Sequence, residues 1–178
     1  MDRGEAYRLT YTGRAQRVFL FFKVYEIAHY IAYDSAHDAV AEGAPGASEA
    51  PALSPETVVN DERGKAIFIR FNRTLGRERI RNEFALSILK NAQADWLVEA
   101  QPSIDAFMAA IDRDARADDQ LVFFWLPGGR LLVEFNEEQA FEATDAAFAK
   151  LIWSIWFGAE PVCDPKELLA QIAPKGAA

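Results

Sequence analysis

The sequence contains a single cysteine, Cys163, among 178 residues, so no internal disulfide can form. Its two histidines, His29 and His37, with that cysteine do not complete a zinc ligand set without carboxylates, and no metal site is expected. Basic residues are also in deficit. The chain has 19 Lys and Arg against 27 Asp and Glu, a formal charge of −8. A surface of that sign repels a phosphate backbone, which sets nucleic acid aside as a partner. Long apolar runs are missing as well. Stretches such as Leu121 to Leu126 fall far short of the ~20 residues that cross a bilayer. Residues 1–15 contain no apolar segment of the kind found in secretory signals. The expectation is a soluble, cytoplasmic chain with no membrane span.

Hydrophobic residues make up 51% of the chain, which suits one domain over residues 1–178 with a sizeable core. Thirteen Phe, five Tyr and four Trp fit a thick core or an apolar pocket equally well. Residues 6–12 suggest a short strand, with Gly13 opening a turn. Residues 17–33, dense in β-branched and aromatic side chains, predict two strand segments joined by a bend. Residues 34–62 hold Ala, Gly, Pro, Ser and Glu with few large apolar groups, and are expected to form a flexible solvated loop. KAIFIRF, residues 65–71, alternates as a strand. Residues 75–91 carry Ile80, Phe84, Ser87 and Ile88 on one helical face, and Ser103 is placed to cap a second helix. Two β-rich runs flank Pro127-Gly128-Gly129 and predict a hairpin. From Glu137 to Phe157 the pattern is helical, stopped by Gly158, and Asp164-Pro165 starts a last helix. Strands, helices, hairpin and helices in that order give an α+β fold with an antiparallel sheet.

Three segments carry a family resemblance: GRAQRVFLFFKVYEIAHYIA at 13–32, LVFFWLPGGRLLVEF at 121–135, and LIWSIWFGAEPVCDPKELLAQI at 151–172. In this order they resemble the chalcone isomerase-like family, particularly its small bacterial members. The resemblance implies an antiparallel β-sheet packed on one face by a layer of α-helices, with a ligand cleft between the layers. The family includes isomerases that close a chalcone to a flavanone and non-catalytic fatty-acid binders, and many of its bacterial members have no assigned activity.

The isomerase reaction adds a phenolate across an enone and needs a cation for the phenolate and donors for the developing enolate. The family's Arg matches Arg17. The Thr of the next strand falls on Tyr25, the helical Tyr and Asn fall on Arg79 and Leu86, and the late Thr or Ser falls on Ile155 beside Ser154. Only the Arg is matched, so no catalytic residue is assigned. The resemblance instead implies that Arg17 and Tyr25 hold a carboxylate, as in the family's fatty-acid binders. Arginine offers a planar fork of donors and tyrosine a further hydroxyl.

On an unbroken strand Lys23 and His29 would share the face of Arg17 and Tyr25, and all four are candidate ligand-binding residues. Plainer readings stand beside these. Arg17 pairs with Glu26 or Glu134, Tyr25 is a core tyrosine, Lys23 is a solvated edge residue, and His29 is a hydrogen-bonded core histidine. The expected partner is a small hydrophobic or amphipathic ligand without a cofactor. The alternatives left open are an isomerase acting on a chalcone-like enone, a haem protein ligated by His29, and a cleft filled by the protein's own side chains.

Overall fold

The computed structural model describes residues 8–19, 22–32 and 53–171. Six strands form one antiparallel sheet in chain order: β1 (Leu9–Phe19), β2 (Phe22–Ala32), β3 (Lys65–Phe71), β4 (Gln120–Leu126), β5 (Arg130–Phe135) and β6 (Glu138–Thr144). The helices are α1 (Pro55–Asn60), α2 (Arg77–Asn91), α3 (Ala94–Ala110), α4 (Ala146–Phe157) and α5 (Pro165–Leu168). This is the α+β architecture expected from the sequence.

Helix α4 is the centre of the packing. Its sequence AAFAKLIWSIWF is apolar all round rather than along one stripe, and every residue from Ala147 to Phe157 except Lys150 is buried. Such a helix is stable only when covered on all sides, and α1, α2 and α3 all pack against it. Trp153 meets Trp125 of β4 edge to face at 5.4 Å, and Phe107 of α3 reaches Phe148 at 5.6 Å and Phe123 at 6.1 Å. The helix begins where the Asp145 carboxylate accepts from the Phe148 N–H at 2.9 Å, filling one of the free donors of the first turn.

Four sequence expectations change. The chain does not turn at Gly13. Strand β1 runs through it, with Thr12 as the extra residue of a bulge between the Tyr11–Tyr30 and Gly13–His29 pairs. Glycine is required there by contact. A Cβ would overlap the Glu167 carbonyl and lie 2.6 Å from the Leu168 carbonyl carbon, so α5 could not dock on β1.

The helix expected from Glu137 begins only at Ala146. Residues 138–144 are instead strand β6, entered through Asn136 and Glu137 at φ 50° and 68°. Ser103 is not a cap, because α3 starts at Ala94 and continues past Pro102. The Ser103 hydroxyl donates instead to the Asp145 carboxylate at 2.6 Å. Finally, the segment expected as loop to residue 62 ends in α1, whose Val58 and Val59 are buried. Its earlier part, with His37, lies outside the described residues.

Lys65 explains how α1 is held. It opens β3 but is only 1% exposed. Its ammonium donates to the Val58 carbonyl at 2.6 Å and to the Asp61 carbonyl, and sits 3.8 Å from the centre of the Trp125 ring. Burial lowers its pKa to about 7, yet the two carbonyls and the ring face are the groups that favour the cation.

Candidate functional site

Arg17 and Tyr25 are cross-strand partners in the β1–β2 register, so their side chains leave the sheet on the same face. The next pair is Val18 with Lys23, which leaves Val24 as an unpaired extra residue. Cross-strand partners share a face and successive residues alternate, so Lys23 follows Val18 to the other side of the sheet. Lys23 is exposed and does not line the cavity that Arg17 and Tyr25 enter.

That cavity, about 60 Å³, lies between the sheet and helices α2 and α4. Its walls are mainly apolar, with Phe71, Leu75, Phe84 and Trp156 among them. A second cavity of about 40 Å³ lies beyond it, bounded by Phe107, Phe135 and Phe141. Phe71, Ile80 and Leu121 line both spaces and form the partition between them.

The Arg17 guanidinium donates through Nη1 to the Val162 carbonyl at 3.0 Å. The bonded partner is therefore a carbonyl and not the carboxylate of Glu26 or Glu134, and Glu26 accepts instead from Arg70 at 2.8 Å. This contact fixes one end of a planar group that still carries further N–H donors. The Tyr25 hydroxyl accepts from Trp156 Nε1 at 3.4 Å, which leaves its own proton free to donate. Burial pushes the Tyr25 phenol well above its ordinary pKa, outweighing the Trp156 hydrogen bond that lowers it. Tyr25 is thus a donor and not a base. Cys163 is likewise held as a thiol, raised to about 12 chiefly by burial and next by Glu167, which removes it as a nucleophile.

His29 is fully buried, away from the cavity. Thr12 Oγ1 donates to the Leu168 carbonyl at 2.7 Å and lies 2.7 Å from His29 Nδ1. With its single proton committed, the hydroxyl accepts from Nδ1–H. Trp153 Nε1 donates to His29 Nε2 at 3.4 Å. Both ring nitrogens are engaged, and a haem iron would have to displace one of these partners.

Of the other positions implied by the resemblance, Arg79 and Ile155 line the cavity. Leu86 is 56% exposed, and the Ser154 hydroxyl is bonded to the Leu151 carbonyl at 2.7 Å. Glu83 also lines the cavity and was missed in the sequence. It follows Arg79, and precedes Ser87, at the four-residue spacing that aligns side chains on a helix.

A family model described as chalcone isomerase-like matches residues 3–170. Among solved structures, the crystal structure of a fatty-acid-binding protein of Arabidopsis thaliana is similar, with a TM-score of 0.65 and 15% identity. The match covers 93% of this chain and 88% of that one. No curated protein matches the sequence.

Proposed function

The chain belongs to the chalcone isomerase-like family, and from that premise we propose that it binds a fatty acid or similar amphipathic carboxylate without transforming it. The observation that carries this reading is the Arg17–Tyr25 pair. A cation and a protonated phenol, adjacent across two strands, face one mainly apolar cavity. A carboxylate placed there receives charge-assisted bonds from the guanidinium and one from the hydroxyl. The solved fatty-acid-binding protein with the same fold supports the ligand class. An isomerase would need donors for an enolate, and two of the positions where the family carries them hold Leu86 and Ile155, which have no side-chain donor.

The test is mass spectrometry of small molecules extracted from gently purified protein. The expected result is a fatty acid in near-stoichiometric amount. An empty protein that takes nothing from a lipid mixture would sink the proposal.

The cavity of about 60 Å³ holds a head group and the first carbons of a chain, not a complete long chain. The tail is therefore expected to part Phe71, Ile80 and Leu121 and enter the second cavity. Leu121→Trp should block that path. Affinity for long acids is expected to fall at least about tenfold more than affinity for short ones, since each methylene excluded from an apolar pocket costs on the order of 1 kcal/mol. Competition binding with acids of graded length checks this. An equal loss at every length would show that the tail runs elsewhere.

A further inference from the structure

We propose that the surface formed by Val18, Phe19 and Phe22, where the paired ends of β1 and β2 lie, is a docking surface for an anionic lipid bilayer. The inference rests on the fatty-acid reading for its purpose, but not for the contact itself. Val18, Phe19 and Phe22 are 48%, 41% and 61% exposed. Scattered exposed apolar side chains are ordinary, but a cluster at the end of two long paired strands marks a contact surface. The charges around it decide what the contact is. The Arg73 guanidinium lies 5.1 Å from the Phe22 ring centre, and that of Arg79 lies 5.5 Å from the Phe19 ring centre. Lys23 follows Phe22 on the opposite face of the strand and is exposed.

The chain as a whole carries a formal charge of −8, yet the guanidiniums of Arg73 and Arg79 lie beside these rings. Charges farther than about 8–10 Å away are largely screened at physiological salt, so this local collar governs an approaching surface. Glu83 is the acidic cavity-lining side chain on the Arg79 side, while Glu78 is engaged by Arg81 at 2.9 Å. Aromatic side chains that enter the boundary between headgroups and acyl chains, ringed by cations at the phosphates, match an anionic leaflet. Among the described residues no helix is long and apolar enough to cross a membrane, so the contact is a peripheral one.

Phe19 and Arg79 also line the Arg17–Tyr25 cavity. The docking surface and the cavity mouth are therefore continuous, and a fatty acid leaving the bilayer would meet the cavity at the point of contact.

The experiment is co-sedimentation of the full chain with vesicles of phosphatidylcholine and phosphatidylglycerol, and with vesicles of phosphatidylcholine alone. Phe22→Ser and Arg73→Gln are the variants, because neither residue lines the cavity. The wild type is expected to sediment with the anionic vesicles and to be released by added salt. Phe22→Ser should weaken partition about tenfold and Arg73→Gln about fivefold, with both variants melting as the wild type does. Equal partition onto phosphatidylcholine alone, an unaffected Phe22→Ser, or this surface covered by a second copy in a stable dimer would each overturn the proposal. Vesicle binding by a protein that takes up no fatty acid would sink only the ligand reading. Fatty-acid uptake without vesicle binding would sink only this one.

Discussion

Arg17→Gln is expected to lower affinity for a long-chain fatty acid about a hundredfold, and Tyr25→Phe about tenfold. A hydrogen bond to a charged group contributes roughly 1.5–3 kcal/mol, and a guanidinium supplies two such bonds to a carboxylate where a phenol supplies one. The difference is enlarged because Gln leaves an anion buried against apolar walls without a counter-charge. Arg17→Lys should recover only part of the loss, since an ammonium offers charge but not the fork. Arg17 also holds the Val162 carbonyl, so its removal loosens the connection between α4 and α5. A melting curve separates this from a ligand effect, because loss of one such bond accounts for about 1 kcal/mol of stability. The measurement is a titration with a fluorescent fatty acid on each variant. Undiminished binding in Arg17→Gln would remove the guanidinium from the site and the reading built on it.

How far the sequence disclosed this site depends on how locally each feature is determined. Arg17 and Tyr25 were legible together through the family resemblance, which sets them on neighbouring strands, while the added argument from strand parity is replaced by the structure. An unbroken strand from 17 to 31 would align them by parity, whereas in fact they face each other across two strands. Both routes put them on one face, but the strand argument also enrolled Lys23. The unpaired Val24 reverses Lys23, and a one-residue bulge leaves no signature in an apolar stretch. His29 fits the plainer reading of a hydrogen-bonded core histidine, yet its partners Thr12 and Trp153 come from remote parts of the chain.

Strand β6 was hidden for a different reason. EEQAFEAT is rich in helix-forming residues, and pairing with β5 overrides that weak local preference. The turn before it places Asn136 and Glu137 at positive φ. Asn is common in such a turn, but Glu in the second position conceals it. Burial of Lys65 was equally illegible. A lysine is ordinarily at the surface, and only the carbonyls of Val58 and Asp61 and the ring of Trp125 make an interior place for it.

Stability is expected to fall steadily as pH drops from about 6.5 toward 4, and His29 is the group responsible. In the fold its pKa is lowered to about 3, first by burial and next by the nearby Lys65 ammonium, against 6.5 for an ordinary histidine. The local hydrogen bonds explain why burial wins. Nε2 accepts the Trp153 indole N–H, so a proton on Nε2 would set two donors against each other in a space closed to water. Below pH 6.5 the unfolded chain takes up a proton that the folded chain refuses, so unfolding gains on acidification. The stability that neutral His29 confers is fully present above 6.5 and is lost as pH falls toward 3. The slope approaches about 1.4 kcal/mol per pH unit, and the loss over the whole window is on the order of 5 kcal/mol.

The carboxylates act at the acid end of that range. Asp61, Asp112 and Asp119 have pKa values lowered from 3.8 and Glu142 from 4.5, so their stabilising contributions are lost only as pH falls below those values. Denaturant melts between pH 7 and 4 should therefore show a slope that His29→Gln flattens, whatever that substitution costs at neutral pH. The imidazole resonance assigned to His29 should hold its neutral position over the same range. A wild type whose stability is level from pH 6.5 to 4.5, or a His29→Gln variant with an unchanged slope, would mean that the ring accepts a proton inside the fold.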